Sequence, residues 1–222
     1  LLTGYLRDLR RRGSEVRCGV RVTGLDVVEG RVRGVNTDTG PLHASRVVLA
    51  GGAWCAGLAA TAGLRRPLIP LRRTVLHSDP HALAKRDHPW CWIEDAGVYV
   101  RPQAGGWLAS PCDEAVDLPR PGPGSRGPAG ELARALVADR VARLLPALGP
   151  VRWSGGWTGL RTFAPDRRPV LGADPDVEGL WWVAGLGGFG VTCGHAAGEA
   201  VAAWMRGEEV GWLQGEAVAP GR

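Results

Sequence analysis

The chain has 222 residues, 45% of them hydrophobic and 22% charged, and its formal net charge of +5 is carried almost wholly by arginine. That composition excludes a disordered or fibrous chain, and no apolar run approaches the roughly 20 residues needed to cross a bilayer. Five cysteines without a CxxC pair or a His/Cys cluster exclude an ordinary zinc set and predict reduced thiols in a cytoplasmic protein.

Residues 1–12 place Leu2, Leu6 and Leu9 on one helical face, with Gly13 after the end. Arg7, Arg10, Arg11 and Arg12 fall toward the helix C-terminus, where they complement its dipole. The run lacks the interleaved aromatics of a nucleic-acid surface. The leading residues show no signal peptide and no initiator Met, and a fragment or processed product is expected. Val16, Cys18, Val20 and Val22 then alternate as in a strand, and Asp26–Gly34 reads as a hairpin turning at Glu29-Gly30. Ser45–Leu49 predicts a short buried strand, followed by a helix over Ala56–Ala62 that Gly63 ends.

From Pro67 the texture becomes strand-like. Leu71–His77 is one expected strand, and Gly97–Arg101 pairs with Trp107–Ser110 around Gly105-Gly106. Residues 119–130 are rich in Pro and Gly and read as a mobile loop. Glu131–Leu145 is an amphipathic helix, with Leu132, Leu136, Val141, Leu144 and Leu145 at helical spacing. Val151–Arg161 returns to strand, then come a turn at Pro165-Asp166, a buried strand over Leu180–Gly185 and a helix over Thr192–Met205. The fold class is therefore α/β (α+β), with β-loop-α at the end and mainly antiparallel β in the middle.

Gly185-Leu186-Gly187-Gly188-Phe189-Gly190 satisfies GxGxxG between a strand and a helix. Glycines let a backbone approach a ligand closely, and a helix N-terminus presents free N–H groups and positive dipole. A dinucleotide fingerprint needs a second strand and an acidic residue about 20 positions on. Here Glu208 and Glu209 follow a helix and a glycine instead, so a self-contained NAD site is disfavoured. By pattern alone, a cofactor loop and a turn that merely packs helix on strand stand equal.

The neighbourhood separates them. Trp157-Thr158-Gly159-Leu160-Arg161, Pro165-Asp166 through Gly172, and the glycine loop resemble the C-terminal part of the D-amino-acid oxidase (DAO) family. Upstream, Val47–Trp54 is similar to the family's strand and turn, and Tyr99-Val100-Arg101-Pro102 to its Y-x-R-P strand. Ala109–Glu114 is similar to a segment of D-arginine-dehydrogenase-like members. The family's N-terminal βαβ unit has no counterpart here.

The resemblance implies a partial FAD-binding Rossmann-like domain (1–66 and 157–207) around an inserted β-rich substrate domain (67–156), with a tail at 208–222. It implies FAD-dependent oxidation of an amine or amino acid, of D-amino-acid or glycine-like type, by hydride transfer to flavin. Arg161 is the implied carboxylate partner, since its planar fork bonds both oxygens at once. Arg73 and Tyr99 match further substrate-binding positions. Val22, Ala50, Gly51, Gly187, Gly188, Phe189, Gly190, Val191 and Thr192 match cofactor-binding positions. Phe163 stands where a cysteine tethers FAD in sarcosine oxidases, so noncovalent FAD is expected. No side chain is assigned as a catalytic base, and Cys193 and His195, two apart, point in different directions. Small-molecule substrates are the expected partners, with no nucleic acid, membrane span or metal. A noncatalytic remnant that binds a partner, and a NAD-type Rossmann domain, stay open as alternatives.

Overall fold

The computed structural model describes residues 1–120 and 127–222. It opens on helix α1 (Leu2–Arg11), whose arginines Arg11 and Arg12 both bond Asp8 in solvent. The predicted apolar face of α1 is not covered: the helix buries no residue, and Leu2 is 70% exposed. The alternation at Val16–Val22 also fails to make a strand before Val22. A strand needs a hydrogen-bonding neighbour; the first bond across is Asp38 N–H to Arg21 O, and among the described residues no strand lies beside residues 14–20.

Strands β1 (Val22–Val28), β2 (Arg31–Thr37) and β3 (Gly40–His43) form an antiparallel meander. Its first turn is the expected one, with Glu29 at φ 50 and Gly30 at φ 71, the left-handed pair that suits a two-residue hairpin. After β4 (Val47–Leu49), a 3-10 turn leads into helix α2 (Cys55–Ala60). Leu25 and Val32 of the meander pack with Leu49, Cys55, Leu180 and Trp182 into one core. Burial pushes the Cys55 thiol up to about 11, so it stays protonated and inert.

The large sheet runs β6-β7-β8-β5-β10-β9, from β5 (Ile69–Ser78), β6 (Cys91–Ile93), β7 (Val98–Gln103), β8 (Gly106–Ser110), β9 (Gly127–Pro128) and β10 (Trp153–Phe163). Residues 121–126 of the expected Pro/Gly loop lie outside the described residues, and Gly127–Pro128 pair with Trp157 and Thr158. Helix α3 (Glu131–Leu144) covers one face of this sheet, packing Val137 and Val141 against Leu76, Val98, Val100 and Trp107. Leu132, expected on that buried face, is 71% exposed, because the sheet meets α3 along Val137 and Val141.

The last sheet is β11-β12-β4, made from β11 (Val170–Ala173), β12 (Leu180–Ala184) and β4. β12 pairs parallel with β4 and leads through the glycine loop into helix α4 (Gly190–Met205). The β11–β12 connection is held by Asp174, whose buried carboxylate accepts from Arg66, the Trp182 indole N–H and the Asp176 and Val177 backbone N–H groups. Residues 206–222 hold a short 3-10 turn and no strand. Among the described residues no helix is long and apolar enough to cross a membrane.

Candidate functional site

Alternation along the large sheet decides where the chemistry lies. Side chains at i and i+2 share a face, so Val98 and Val100 turn into the α3 core while Tyr99 and Arg101 turn away. Register extends that second face across the sheet. Tyr99 opposes Ser110 on β8, and on β10 Trp157 opposes Val75 and Gly159 opposes Arg73. α3 leaves this face open, and it floors a cavity of about 390 Å³ with Arg73, Val75, Tyr99, Trp157 and Arg161 on its walls. Gly188 and Phe189 of the glycine loop close another side.

Charge in this cavity is unbalanced. Arg73 donates to Glu114 Oε1 at 2.9 Å, and Arg167 takes Oε2 of the same carboxylate at 2.6 Å. One acid therefore serves two arginines. The Arg167 bond, together with the Arg73 charge, holds the Glu114 carboxyl below the usual carboxylate range. Arg161 makes no hydrogen bond or ion pair among the described residues. Its burial first, and then the Arg73 guanidinium, pull it below arginine's ordinary range, yet a guanidinium stays protonated at neutral pH. A half-buried, unpaired cation costs free energy unless an anion reaches it. The Arg73 Nε is likewise buried without a partner.

A second cleft lies behind β10, of about 220 Å³, where Leu160 and Thr162 point. Glycine and alanine make up much of the rest, at Ala50, Gly52, Ala53, Ala184, Gly185 and Gly187, with the larger Trp54, Val183 and Leu186 beside them. The glycine loop is thus common to both spaces. Its geometry demands glycine at Gly187, where φ is 55 and an added Cβ would meet the Phe163 ring at 2.5 Å. The Gly187 N–H donates to Thr162 O at 2.9 Å and pins the loop to β10. Helix α4 starts beside the loop with no side-chain cap and no acid in its first turn, so its free N–H groups and positive dipole remain available to an anionic or electron-rich group. Phe189 and Val191 are 61% and 81% exposed there, large apolar surface left at the edge of a glycine cradle.

The structure brings Arg161, Arg73, Tyr99, Gly188 and Phe189 together in one cavity. It places Ala50 and Gly187 on the second cleft, and Gly190, Val191 and Thr192 in the first turn of α4. Gly51 adjoins Ala50 at the end of β4. Val22 starts β1 in the meander and lines neither space. His195 meets Tyr5 at 2.9 Å and Cys193 meets Thr192, so those two form no nucleophile–base pair. Among the described residues no group of three or more His, Cys, Asp or Glu side chains is placed to hold a metal. Sequence reading missed Arg101, Leu108, Ser110 and Trp92 of the first cavity. Their signal was present as period-2 alternation in step with Tyr99.

Comparisons with known proteins bear on this arrangement. The profile of the family described as "FAD dependent oxidoreductase" (DAO) matches residues 1–204. A glycine oxidase of Pseudomonas putida is 30% identical over 177 residues, which are 79% of this chain and 43% of that protein. A D-amino acid dehydrogenase of Cereibacter sphaeroides is 34% identical over 195 residues, 85% of this chain and 41% of that one. The chain thus spans less than half the length of these curated relatives. The crystal structure of L-proline dehydrogenase from P. horikoshii superposes with a TM-score of 0.81 at 21% identity, covering 98% of this chain and 57% of that one. Glycine oxidase from Geobacillus kaustophilus gives 0.76 at 23%, covering 94% and 53%. At those identities the solved structures speak to the fold.

Proposed function

Since the chain belongs to the DAO family of FAD-dependent oxidoreductases, we propose that it forms the substrate pocket and flavin-facing loop of an enzyme oxidising a carboxylate-bearing amine, of D-amino-acid or glycine-like type. One observation carries this reading: Arg161 is half-buried in a cavity with no anion of its own. A substrate carboxylate supplies the missing partner. Arg161 and Arg73 hold it, and the Tyr99 hydroxyl, which makes no hydrogen bond among the described residues, donates to it. The apolar walls at Val75, Leu108 and Trp157 exclude water around the α-carbon. Holding that carbon in one orientation accounts for much of the acceleration in such a transfer.

The second cleft, the glycine loop and the α4 N-terminus fit FAD, because glycine and alanine backbone forms much of the cleft wall beside Trp54, Leu160, Val183 and Leu186, and the helix end offers unpaired N–H groups. Ala50, Gly51, Gly187, Gly188, Phe189, Gly190, Val191 and Thr192 would hold the flavin end, and the Val22 backbone would meet adenine. FAD, when bound, supplies a hydride acceptor, and the amine leaves as an imine. Phe163 carries no thiol, so the cofactor is noncovalent. Among the described residues no carboxylate or imidazole lines the cavity, so in this reading the amine enters neutral instead of being deprotonated by a side chain. In this reading residues 67–156 form the substrate side, and 1–66 with 157–207 the cofactor side. Five cysteines without a disulfide fit a reducing compartment.

Arg161→Ala tests the reading in flavin-loaded protein. Losing a charge-assisted pair of bonds, about 3 kcal/mol, lowers kcat/KM for carboxylate-bearing amines about 10²-fold. Unchanged kinetics would overturn the clamp. Purified protein that neither carries nor takes up flavin would favour the noncatalytic binding module instead.

A further inference from the structure

The carboxylate clamp occupies one end of the first cavity, and a third arginine occupies the other. Arg101 lines the same space from β7 and has no hydrogen bond or ion pair among the described residues. Register places it. Arg101 opposes Leu108 on β8, and Leu108 opposes His77 on β5. His77 is four residues along β5 from Arg73. Two strand spacings across and four residues along put the Arg101 and Arg73 Cα atoms about 16 Å apart. Strand side chains stand roughly perpendicular to the sheet and lean along it, so the interval between the two guanidinium heads is one a short diacid can span. Between them the wall is Val75, Leu108 and Trp157, with Tyr99 and Ser110 at its middle.

The cavity is therefore cationic at both ends and apolar between them. Glycine needs only the first end and leaves most of about 390 Å³ unfilled. We propose that the cavity is built for an amino dicarboxylate: one carboxylate on Arg161 and Arg73, a short aliphatic spacer along Val75 and Leu108, and a second carboxylate on Arg101. This rests on the carboxylate clamp proposed above and adds the side-chain class of its substrate. Arginine suits the distal role as it suits the proximal one, because its planar fork matches both oxygens of a carboxylate.

Binding tests it without turnover. Glutarate, butyrate and malonate are titrated into the protein at fixed ionic strength, and tryptophan fluorescence is followed, since Trp92 and Trp157 line the cavity. Glutarate is expected to bind about tenfold or more tighter than butyrate. Malonate, a dianion too short to reach both ends, stays near butyrate. Arg101→Gln brings glutarate down to butyrate's level, while Arg161→Gln weakens both acids. Equal affinities for glutarate and butyrate in the unaltered protein, or a glutarate preference that survives Arg101→Gln, overturn the dicarboxylate inference and leave the clamp standing. Butyrate binding indifferent to Arg161→Gln overturns the clamp itself, and failure of both acids to bind overturns both.

Discussion

Replacing Gly188 by alanine separates function from folding at adjacent positions of one loop. Gly188 lies outside the left-handed region, so its backbone accepts an alanine without strain. The new Cβ would sit 2.7 Å from a terminal nitrogen of Arg161 and 2.9 Å from its Cζ. Those atoms end a flexible side chain, so the guanidinium retreats by most of an ångström and the fold is spared. An ångström of misplacement, or the loss of one charge-assisted bond of about 1.5–3 kcal/mol, weakens carboxylate binding about 10- to 100-fold. Global stability should change by less than about 1 kcal/mol, and in the stabilising direction if the loop adapts freely. Gly187→Ala is the contrasting variant. Its φ of 55 disfavours a side chain, and its Cβ would meet the ring of Phe163, itself 8% exposed, at 2.5 Å. Strain and overpacking together cost the fold about 2–4 kcal/mol there. Butyrate titration followed by tryptophan fluorescence, beside urea unfolding, reads both effects. Wild-type butyrate affinity in Gly188→Ala, or a stability loss equal to that of Gly187→Ala, would refute the reasoning.

Two further predictions concern the frame around the site. Asp174→Ala strips a fully buried carboxylate from Arg66, the Trp182 indole and two backbone N–H groups. Breaking such a buried pair costs about 3–5 kcal/mol in urea unfolding, and a loss under about 1 kcal/mol would contradict the staple. Glu114 predicts a pH dependence. Its carboxyl is held low in the folded protein by the Arg167 bond and by Arg73, so its contribution is present above the ordinary glutamate range and lost as pH falls through the lowered value. With its side chain 33% exposed, that contribution is below about 1 kcal/mol. Thermal unfolding of Glu114→Gln should thus fall short of the unaltered protein near neutrality and converge with it in acid. A difference that persists in acid counts against the linkage.

Much of the local structure was legible because it obeys short-range rules. Glu29-Gly30 demands a tight hairpin, and the spacing of Leu132, Leu136, Val141, Leu144 and Leu145 demands a helix, whatever surrounds them. β3, β6 and β11 were not legible, since strands of three or four residues owe their existence to a neighbour's hydrogen bonds. The same dependence explains the opposite error at Val16–Val20, where alternation is present and a pairing partner is not. Leu132 and the apolar face of α1 show that helical spacing names a face without saying what covers it.

For the site, the glycine loop was legible as a pattern, because a Cβ-free backbone is a property of the residues themselves, while Arg161, Arg73 and Tyr99 were singled out by the resemblance to the DAO family. Tertiary structure decided what those residues face. Only the register of β5, β7, β8 and β10 sets Arg101 on the same face as Arg73 and Tyr99. Only the packing of α3 on the opposite face leaves that surface open. And only long-range pairing reveals that Glu114 is spent on Arg73 and Arg167 while Arg161 makes no ion pair among the described residues. An ion's partner is fixed by distance in space, and sequence separation carries no information about that distance until the sheet has formed.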